Sequence, residues 1–456
     1  MLKKVKKKLM SDLFFLIVLA VCFVINYRRK NPVYQYAVEK ITENQLIEDC
    51  LQLKNLFKEY YAGYEYENNV SLNFEEKNQE LIKRCLDKEK NGYISTDDFI
   101  EEIKNAYNNL KEGHFDCFKK EQDDSFRDIS LFNHYDMYYS NIYFRKEGSI
   151  FFLQEINGVE ITEMVPYIKQ NENFELMYYP SKGNNIYRLG IFSQTEIKDV
   201  EIEINNQLIK SSLKLANQIN YKYLYYPENY KRRVRINKRE TSETVYYSCT
   251  TFEDKKRNYK ILNDVNLDEK KNLILDLRGN PGGRPDNIAG FFAKILFNDC
   301  ITKITFAFDL GLITSFNTLQ KKRIANPYPK EKFSSDTNIN IYMIVDSITC
   351  SCPEYIIRYL RKIENIHLTV IGQNTKGKLK GSASGYKKLQ NSGLYIQVPR
   401  VYVPEVIEDE IKEGREEYGI FPDVWAIDND VLDTLVLLTG DSELRNVLPF
   451  LDYQLE

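Results

Sequence analysis

One serine lies between two cysteines in the stretch DSITCSCPEY (346–355), where any of the three could act as a nucleophile. Pro353 suits the first turn of a helix, since the N–H that proline lacks has no partner there. A nucleophile at such a strand-to-helix turn is held at the sheet edge, and the first N–H groups of the helix favour developing negative charge. The pattern predicts a nucleophile among Cys350, Ser351 and Cys352, or else a simple N-cap serine.

A second stretch, LDLRGNPGG (275–283), could supply the groups that stabilise an oxyanion. It follows an apolar run, and consecutive glycines allow bare backbone N–H groups to point into a site. The amides of Gly282 or Gly283, together with the amide of Cys352, could form an oxyanion hole. The stretch lacks the lysine-serine pair of a phosphate-binding loop. The alternative is a helix entry with no chemical role.

Strands and helices alternate from Lys271 onward, which predicts an α/β region with a largely parallel sheet. Ligands of such sheets bind beyond the carboxyl ends of the strands. Both stretches described above lie at that end. The predicted strands are NLILDL, ITKITFAF, INIYMIV and HLTVIG, and the predicted helices are NIAGFFAKILF and CPEYIIRYLRKI.

Two other kinds of pattern precede this region. From Asn44 to Lys111, apolar residues recur at spacings of three and four, as in LIEDCLQLKNLFKEYY and FIEEIKNAYNNL, which predicts helices. From Phe115 to Lys260, short runs such as SIFFLQEI, KDVEIEIN and TVYYSCTTF predict strands. INGV followed by EITEMVPYI is typical of a strand, a turn and a helix, which small peptide-binding (PDZ-like) modules also contain, or of an ordinary connection.

Residues Asp87 to Asp98 resemble a calcium-binding loop, with oxygen ligands at positions one, three and five and glycine at position six. Position twelve is an aspartate, which reaches a metal ion less well than glutamate does. Such loops also usually come in pairs, and only one is present. The competing interpretation is a polar turn capped by Ser95 or Thr96.

The first 30 residues carry a membrane-targeting pattern. Five lysines precede an uncharged stretch, and basic residues return at Arg28. The apolar run from Leu13 to Ile25 is shorter than the roughly 20 residues of a spanning helix, but no good cleavage site follows it. We expect an uncleaved anchor with its lysine-rich end cytoplasmic and the body of the protein outside the membrane.

Composition excludes several classes of protein. Hydrophobic residues make up 43% and charged residues 28% of the chain, which excludes collagen-like and wholly disordered proteins. The net charge of −3 gives no pull toward nucleic acid. The eight cysteines show no paired CxxC spacing, so zinc is not indicated, although one or two disulfides are compatible with an extracytoplasmic location.

Five stretches, in order, resemble the carboxyl-terminal processing (tail-specific) serine proteases and their tricorn-core relatives. A sixth, NLKEGH (109–114), is similar to the "LxDGH" of the relatives that lack the long insertion of the processing proteases. The five are TVYYSCTTF (244–252), NLILDLRGNPGG (272–283), TCSCPE (349–354), VIGQNTKGK (370–378) and YGIFPDV (418–424).

The resemblance implies a crotonase-like α/β core that hydrolyses peptide bonds without metal or organic cofactor. Ser351 takes the place of the nucleophile. For the general base the resemblance implies two alternatives, which stay open. Lys378 matches the base of the processing proteases, although Ser382 replaces the glutamine that they place four residues later. His114 matches the base of tricorn-like members, with Glu416 or Glu417 as a supporting carboxylate, and His134 and His367 are interpreted as structural.

The sequence therefore favours a membrane-anchored serine endopeptidase that acts on polypeptides. Two other hypotheses remain: a binding module that kept the fold and lost the chemistry, and an adhesion protein regulated by calcium. We divide the chain into an anchor or signal segment (1–30), a helical region (31–125), a β-rich middle region with a possible PDZ-like piece (126–244) and an α/β catalytic region (245–456).

Overall fold

The computed structural model describes most of the chain beyond its first 35 residues. The described residues are 36–70, 73–107, 110, 113–120, 126–130, 136–148, 150–161, 174–179, 186–193, 195–204, 206–215, 237–252, 267, 269–315, 323–324, 332–382, 386–403, 419–426 and 430–448.

The helices of these ranges fall into an amino-terminal and a carboxyl-terminal group. The first group is α1 (Glu43–Tyr60), α2 (Tyr64–Val70), α3 (Phe74–Asp87) and α4 (Thr96–Tyr107). The second group is α5 (Asp286–Leu296), α6 (Cys300–Ser315), α7 (Cys352–Leu360), α8 (Asp430–Thr439) and α9 (Leu444–Val447).

The strands form several sheets. In chain order they are β1 (Lys40–Thr42), β2 (Tyr93–Ser95), β3 (Asp116–Lys120), β4 (Phe126–Ser130), β5 (Asp136–Glu147), β6 (Ile150–Ile156), β7 (Val159–Glu160), β8 (Phe174–Tyr179), β9 (Ile186–Ser193), β10 (Asp199–Ile204), β11 (Gln207–Leu215), β12 (Asn237–Glu240), β13 (Thr244–Ser248), β14 (Asn272–Asp276), β15 (Arg323–Ile324), β16 (Asn340–Val345), β17 (His367–Gly372), β18 (Gly381–Ser382), β19 (Tyr386–Lys388), β20 (Tyr395–Gln397), β21 (Val401–Tyr402) and β22 (Val424–Trp425).

A six-stranded sheet in the order β12-β13-β14-β16-β17-β22 forms the centre of the carboxyl-terminal region. Only the pairing of β12 with β13 is antiparallel, so the predicted parallel sheet is confirmed. Strand β14 is buried along its whole length, as expected for a strand covered on both faces. Because the strands are parallel, the ends of β14 and β16 at Asp276 and Val345 meet at one edge of the sheet.

One prediction in this region is wrong: ITKITFAF belongs to helix α6 and not to a strand. Its β-branched residues suggested a strand, but Asp299 caps a helix start, since its Oδ1 accepts from the amide of Thr302 at 2.7 Å. Phe306 and Leu310, one helical turn apart, are fully buried. Tertiary packing of this apolar face overrides the local strand propensity.

The predicted amino-terminal helices are confirmed, and their core continues into the carboxyl-terminal part of the chain. Leu389, Leu394, Ile396 and Tyr402 are buried in the same hydrophobic cluster as helices α1, α3 and α4. Strand β3 also belongs to a sheet with β20, in the order β19-β20-β3-β4. Phe115 and strand β3 are thereby packed against the carboxyl-terminal region.

The middle of the chain is rich in strands, as predicted. Strands β5 to β11 form a seven-stranded sheet with a core of its own, which includes Ile142, Phe144 and Leu189. Glu160, the first residue of the helix predicted from EITEMVPYI, belongs to strand β7, and residues 162–168 lie outside the described residues.

The loop that resembles a calcium site folds as a tight polar turn. Lys90 and Tyr93 pair across Asn91 and Gly92, which both have positive φ. The amide of Asp98 donates to Ser95 Oγ at 3.0 Å, so Ser95 caps helix α4. Among the described residues, no three or more His, Cys, Asp or Glu side chains are placed to hold a metal ion.

The predicted anchor lies outside the described residues. Among the helices that are described, none is both long enough and apolar enough to cross a membrane.

Candidate active site

Ser351 lies at the turn between β16 and α7, at the edge of the sheet. Its φ of +62° falls in a region that L-residues rarely adopt. Gly282 lies directly against its side chain, because a Cβ added at Gly282 would be 2.9 Å from Ser351 Cβ and 3.2 Å from Ser351 Oγ. Position 282 therefore requires glycine, both for this close approach and for its own φ of +114°.

His114 reaches Ser351 from a distant part of the sequence. It precedes strand β3 by one residue, Phe115, which is buried in the amino-terminal core. The His114 side chain is 3% exposed, and its Nε2 lies 3.0 Å from Ser351 Oγ. That distance is within hydrogen-bond reach, which is the arrangement that a nucleophile and a general base require.

Glu354, in the first turn of α7, accepts four hydrogen bonds with its buried carboxylate. One donor is the amide of Ser351, at 2.6 Å. The others belong to the loop after β17: the hydroxyl of Thr375 and the amides of Gly377 and Lys378, the two amides at 2.8 and 2.9 Å. Burial raises the pKa of Glu354, and the four donors act in the opposite direction. The Glu354 side chain thus holds both Ser351 and the loop at 375–378.

The glycine loop is fixed by Asn280. The side-chain oxygen of Asn280 accepts from the amide of Gly282 at 2.9 Å, and its Nδ2 donates to the carbonyl of Cys249 at the same distance. The Asn280 carbonyl accepts from the amide of Cys350 at 3.0 Å. The amide of Gly282 is therefore directed at Asn280 and not at the space beside Ser351.

Two aspartates, the buried Asp276 and the partly buried Asp346, form hydrogen bonds at the strand ends. Asp276 forms a bidentate pair with Arg278, at 3.0 Å to Nε and 2.7 Å to the terminal nitrogen. Asp346 accepts from the amides of Gly279 and Thr349, each at 2.9 Å. Burial raises the pKa of Asp346, and these amide donors oppose the shift.

The flanking cysteines are buried. Burial raises the pKa of Cys350 to about 11, while the positive charge of Lys378 acts in the opposite direction. The Cys350 thiol contacts the Pro281 carbonyl, with 3.2 Å between sulfur and oxygen. A thiol of this kind stays protonated at neutral pH and is a poor nucleophile. Cys352 is the first residue of helix α7. Its amide therefore belongs to the first turn, where the N–H groups have no hydrogen-bond acceptor within the helix.

The structure brings Ser351, His114 and Gly282 together, and Lys378 joins them through its backbone contact with Glu354. Glu416 and Glu417 lie outside the described residues. The sequence alone indicates no role for Glu354. The spacing S-x-x-E, typical of a capping box, was the signal that could have identified its contact with Ser351.

Comparison with known proteins finds a family model that matches the part of the chain around Ser351. Residues 243–425 match the model of "Peptidase family S41". These residues, called the S41 region below, make up less than half of the chain. The S41 region is that of a serine-type peptidase, and it contains Ser351, Glu354 and the glycine loop. His114 lies outside the matched residues, in the part of the chain that precedes them.

Several solved structures are partly similar to this protein. The photosystem II D1 C-terminal processing protease is 14% identical, with a TM-score of 0.35, covering 91% of this chain and 98% of that chain. Mature CPAF complexed with lactacystin is 10% identical, with a TM-score of 0.42, covering 90% and 98%. A lipoprotein from Streptococcus agalactiae is 18% identical, with a TM-score of 0.29, covering 45% and 69%. No curated protein matches the chain.

Proposed function

We propose that this S41 protein is a serine endopeptidase that cleaves polypeptides through an acyl-enzyme on Ser351. The observation that carries the proposal is the 3.0 Å contact between His114 Nε2 and Ser351 Oγ. A neutral imidazole at this distance can accept the hydroxyl proton as the oxygen attacks a carbonyl carbon. Helix α7 begins at the same point and favours the negative charge that develops.

The reaction takes place in two halves. Ser351 Oγ attacks the peptide carbonyl, His114 takes the proton, and the oxygen of the tetrahedral intermediate is held by backbone amides. His114 then gives the proton to the leaving amine, and the acyl-enzyme forms. Water, activated by the same imidazole, releases the acid and restores the serine.

For the oxyanion hole we propose the amides of Gly283 and Cys352. The contact of the Gly282 amide with Asn280 favours Gly283 as the glycine donor. The Cys352 amide belongs to the first turn of α7, directly after the nucleophile. The φ of Gly283, +129°, is one that only glycine adopts readily, as expected for backbone that must approach a substrate closely.

We propose His114 as the base in preference to Lys378. Burial raises the pKa of Cys350, and the positive charge of Lys378 opposes this shift, so the two side chains are near each other. The contact of Lys378 with Glu354 is made by its backbone amide. Glu417 or Glu416 is proposed as the carboxylate that supports His114, on the family resemblance alone.

The wider architecture is also part of the proposal. We propose a crotonase-like core for the S41 region, which the parallel sheet supports. We further propose that residues 1–30 anchor the protein in a membrane, with the catalytic region extracytoplasmic. The lysine-rich start and the apolar run from Leu13 to Ile25 support this arrangement. The division of the chain into four regions is likewise part of this proposal.

The competing function is a binding module without catalysis, which the unusual cysteines beside Ser351 motivate. The two functions differ in the reactivity of Ser351. We expect a fluorophosphonate probe to label the wild-type protein stoichiometrically, and peptide mapping to place the label on Ser351. No labelling of a folded wild-type protein would favour the binding module.

Replacement of the nucleophile tests the proposed function directly. In Ser351→Ala we expect cleavage of fluorescein-labelled casein to fall by about 10⁴-fold, because the hydroxyl that forms the acyl-enzyme is absent. Cys350→Ala, which removes a neighbouring thiol, is the matched control. This variant should still cleave casein and should still be labelled by the fluorophosphonate probe. Casein cleavage that persists in Ser351→Ala would refute the proposal.

A further inference from the structure

We propose that Glu354 is a positioning residue for catalysis, whose carboxylate sets the backbone of Ser351 and locks it to the loop at 375–378. This inference rests on the proposed function of the same site. It assigns to a buried acid, which contacts no reacting atom, the task of aiming the nucleophile at His114.

The first observation is the set of groups that Glu354 binds. All four partners are donors: the amides of Ser351, Gly377 and Lys378, and the Thr375 hydroxyl. The side chain is fully buried, so water cannot replace any of these donors. A carboxylate offers acceptor sites on both oxygens and suits such a set. A neutral amide does not, because its NH₂ group would face an N–H donor.

The second observation is the backbone of Ser351. Its positive φ is unfavourable for a serine and persists only when the surroundings hold it. The contact from its amide to Glu354, at 2.6 Å, is the hydrogen bond that fixes the amide plane on the amino side of this residue. Gly282 confines the side chain from the other side. Loss of the carboxylate would therefore allow Ser351 to relax toward an ordinary φ and would move Oγ away from His114.

The third observation connects the site to the closing motif of the chain. The Thr375 hydroxyl donates to Glu354 and accepts from the amide of Ile420 at 2.7 Å. The Thr375 amide in turn donates to the Ile420 carbonyl at 3.0 Å. Gly419 lies so close that an added Cβ would be 2.1 Å from the Thr375 carbonyl oxygen. The nucleophile, the 375–378 loop and residues 419–420 are thus one hydrogen-bonded unit with Glu354 at its centre.

The experiment measures the reaction of Ser351 with a fluorophosphonate probe and separates the rate at saturation from the half-saturating concentration. In Glu354→Gln we expect the saturated rate to fall by about 10²-fold or more, since small misplacements of a nucleophile cost this much. The half-saturating concentration should change less than about threefold, because probe binding does not use Glu354. The fraction of folded protein is measured in parallel by circular dichroism.

Two variants of Thr375 keep the inference testable if Glu354→Gln does not fold. Thr375→Val removes the hydroxyl donor at nearly constant volume and should lower the saturated labelling rate. Thr375→Ser keeps the hydroxyl donor and should have a saturated rate near that of wild type. If the role were purely structural, both Thr375 variants would have lower melting temperatures, and their saturated labelling rates would not differ from each other.

The matched control is Asp441→Asn. Asp441 is another buried carboxylate, which accepts from the hydroxyls of Thr241 and Thr244 at the opposite, amino end of the parallel strands. We expect it to lower stability and to leave the saturated rate within about threefold of wild type. An unchanged saturated rate in folded Glu354→Gln, or in Thr375→Val, would overturn the inference. Casein cleavage that survives Ser351→Ala would instead overturn the proposed function, so the two failures are distinguishable.

Discussion

At the scale of single residues, the site is selected by position and not by intrinsic reactivity. Three potential nucleophiles lie side by side, and a thiol is the stronger one in isolation. Burial raises the pKa of Cys350 to about 11, however, and its thiol contacts the Pro281 carbonyl. Ser351 Oγ lies within hydrogen-bond distance of His114 Nε2. Cys350 therefore contributes packing and a weak contact to the glycine loop.

The choice between the two candidate bases is a prediction at this scale. His114→Gln should lower the saturated rate of fluorophosphonate labelling by about 10³-fold or more, because the hydroxyl loses its proton acceptor. Lys378→Met removes only the ammonium and keeps the backbone amide that binds Glu354, so its rate should stay within about tenfold of wild type.

The measurement is the labelling rate of both variants at one pH, with the folded fraction determined by circular dichroism. A large loss in Lys378→Met together with a small loss in His114→Gln would make Lys378 the base and would contradict our assignment.

At the scale of secondary-structure elements, the parallel sheet brings the catalytic stretches together. Strands β14 and β16 are adjacent and parallel, so the glycine loop and the Ser351 turn leave the sheet at the same edge. The amide of Cys350 donates to the Asn280 carbonyl and joins the two turns directly. The helix α7 that begins at this edge carries Glu354 one turn from Ser351, which is why one side chain can reach the nucleophile and the loop after β17.

The start of helix α8 carries a pH-dependent contribution to stability. Burial, reinforced by the charge of Asp433, raises the pKa of Asp430 from 3.8 to about 6. Between these two values the folded state holds a proton that the unfolded chain releases. The contribution of Asp430 to the free energy of unfolding therefore falls as the pH rises through this window.

Asp430→Asn removes this titration, so the variant should gain stability relative to wild type as the pH rises from about 4 to about 7. Thermal unfolding of both proteins across that range measures the difference in melting temperature. Asp433→Asn is the control, because removal of the neighbouring charge should lower the pKa of Asp430 and weaken the effect. A difference in melting temperature that does not vary with pH would contradict this prediction.

At the scale of the whole molecule, the active site depends on a core that two distant parts of the sequence share. His114 lies beyond the S41 match, next to Phe115, which packs with the amino-terminal helices. Strand β20 pairs with β3, and the Tyr402 hydroxyl donates to Glu67 at 3.1 Å. The helical region therefore supplies the proposed base and also holds it in place.

A change in the amino-terminal core should consequently affect the chemistry at Ser351. Phe57 is fully buried, and its ring centroid lies 4.7 Å from that of Phe115 and 4.8 Å from that of Tyr107. Phe57→Ala should lower the free energy of unfolding by about 3–5 kcal/mol because it leaves a cavity among packed rings. Thermal loss of Ser351 labelling should shift to lower temperature by the same number of degrees as the loss of helicity.

The control for this prediction is Leu51→Ala, on the same helix. Its side chain is 44% exposed, so the free energy of unfolding should change by about 0.5 kcal/mol or less. Labelling that survives after the helical signal of Phe57→Ala has melted would mean that the catalytic region holds His114 without the shared core.

The sequence by itself determined the parallel sheet and the amino-terminal helices, and its resemblance to a known family singled out Ser351 as the candidate nucleophile. Local patterns were sufficient for the helices and the sheet, because apolar periodicity reports buried faces. The same reasoning failed for residues 301–308, where β-branched residues suggested a strand. Packing of Phe306 and Leu310 decided for a helix.

Only the tertiary structure decided which distant groups meet Ser351. His114 is separated from Ser351 by 237 residues, and Lys378 by far fewer. Separation along the sequence therefore does not report which of the two side chains contacts Ser351. The contact of His114 arises because β3 pairs with β20 and Phe115 is buried in the amino-terminal core, both long-range events. The role of Glu354 was hidden for the same reason, since three of its four donors come from a loop beyond the next strand. Residue types can be read from a sequence, but the distances that make them a site come from packing.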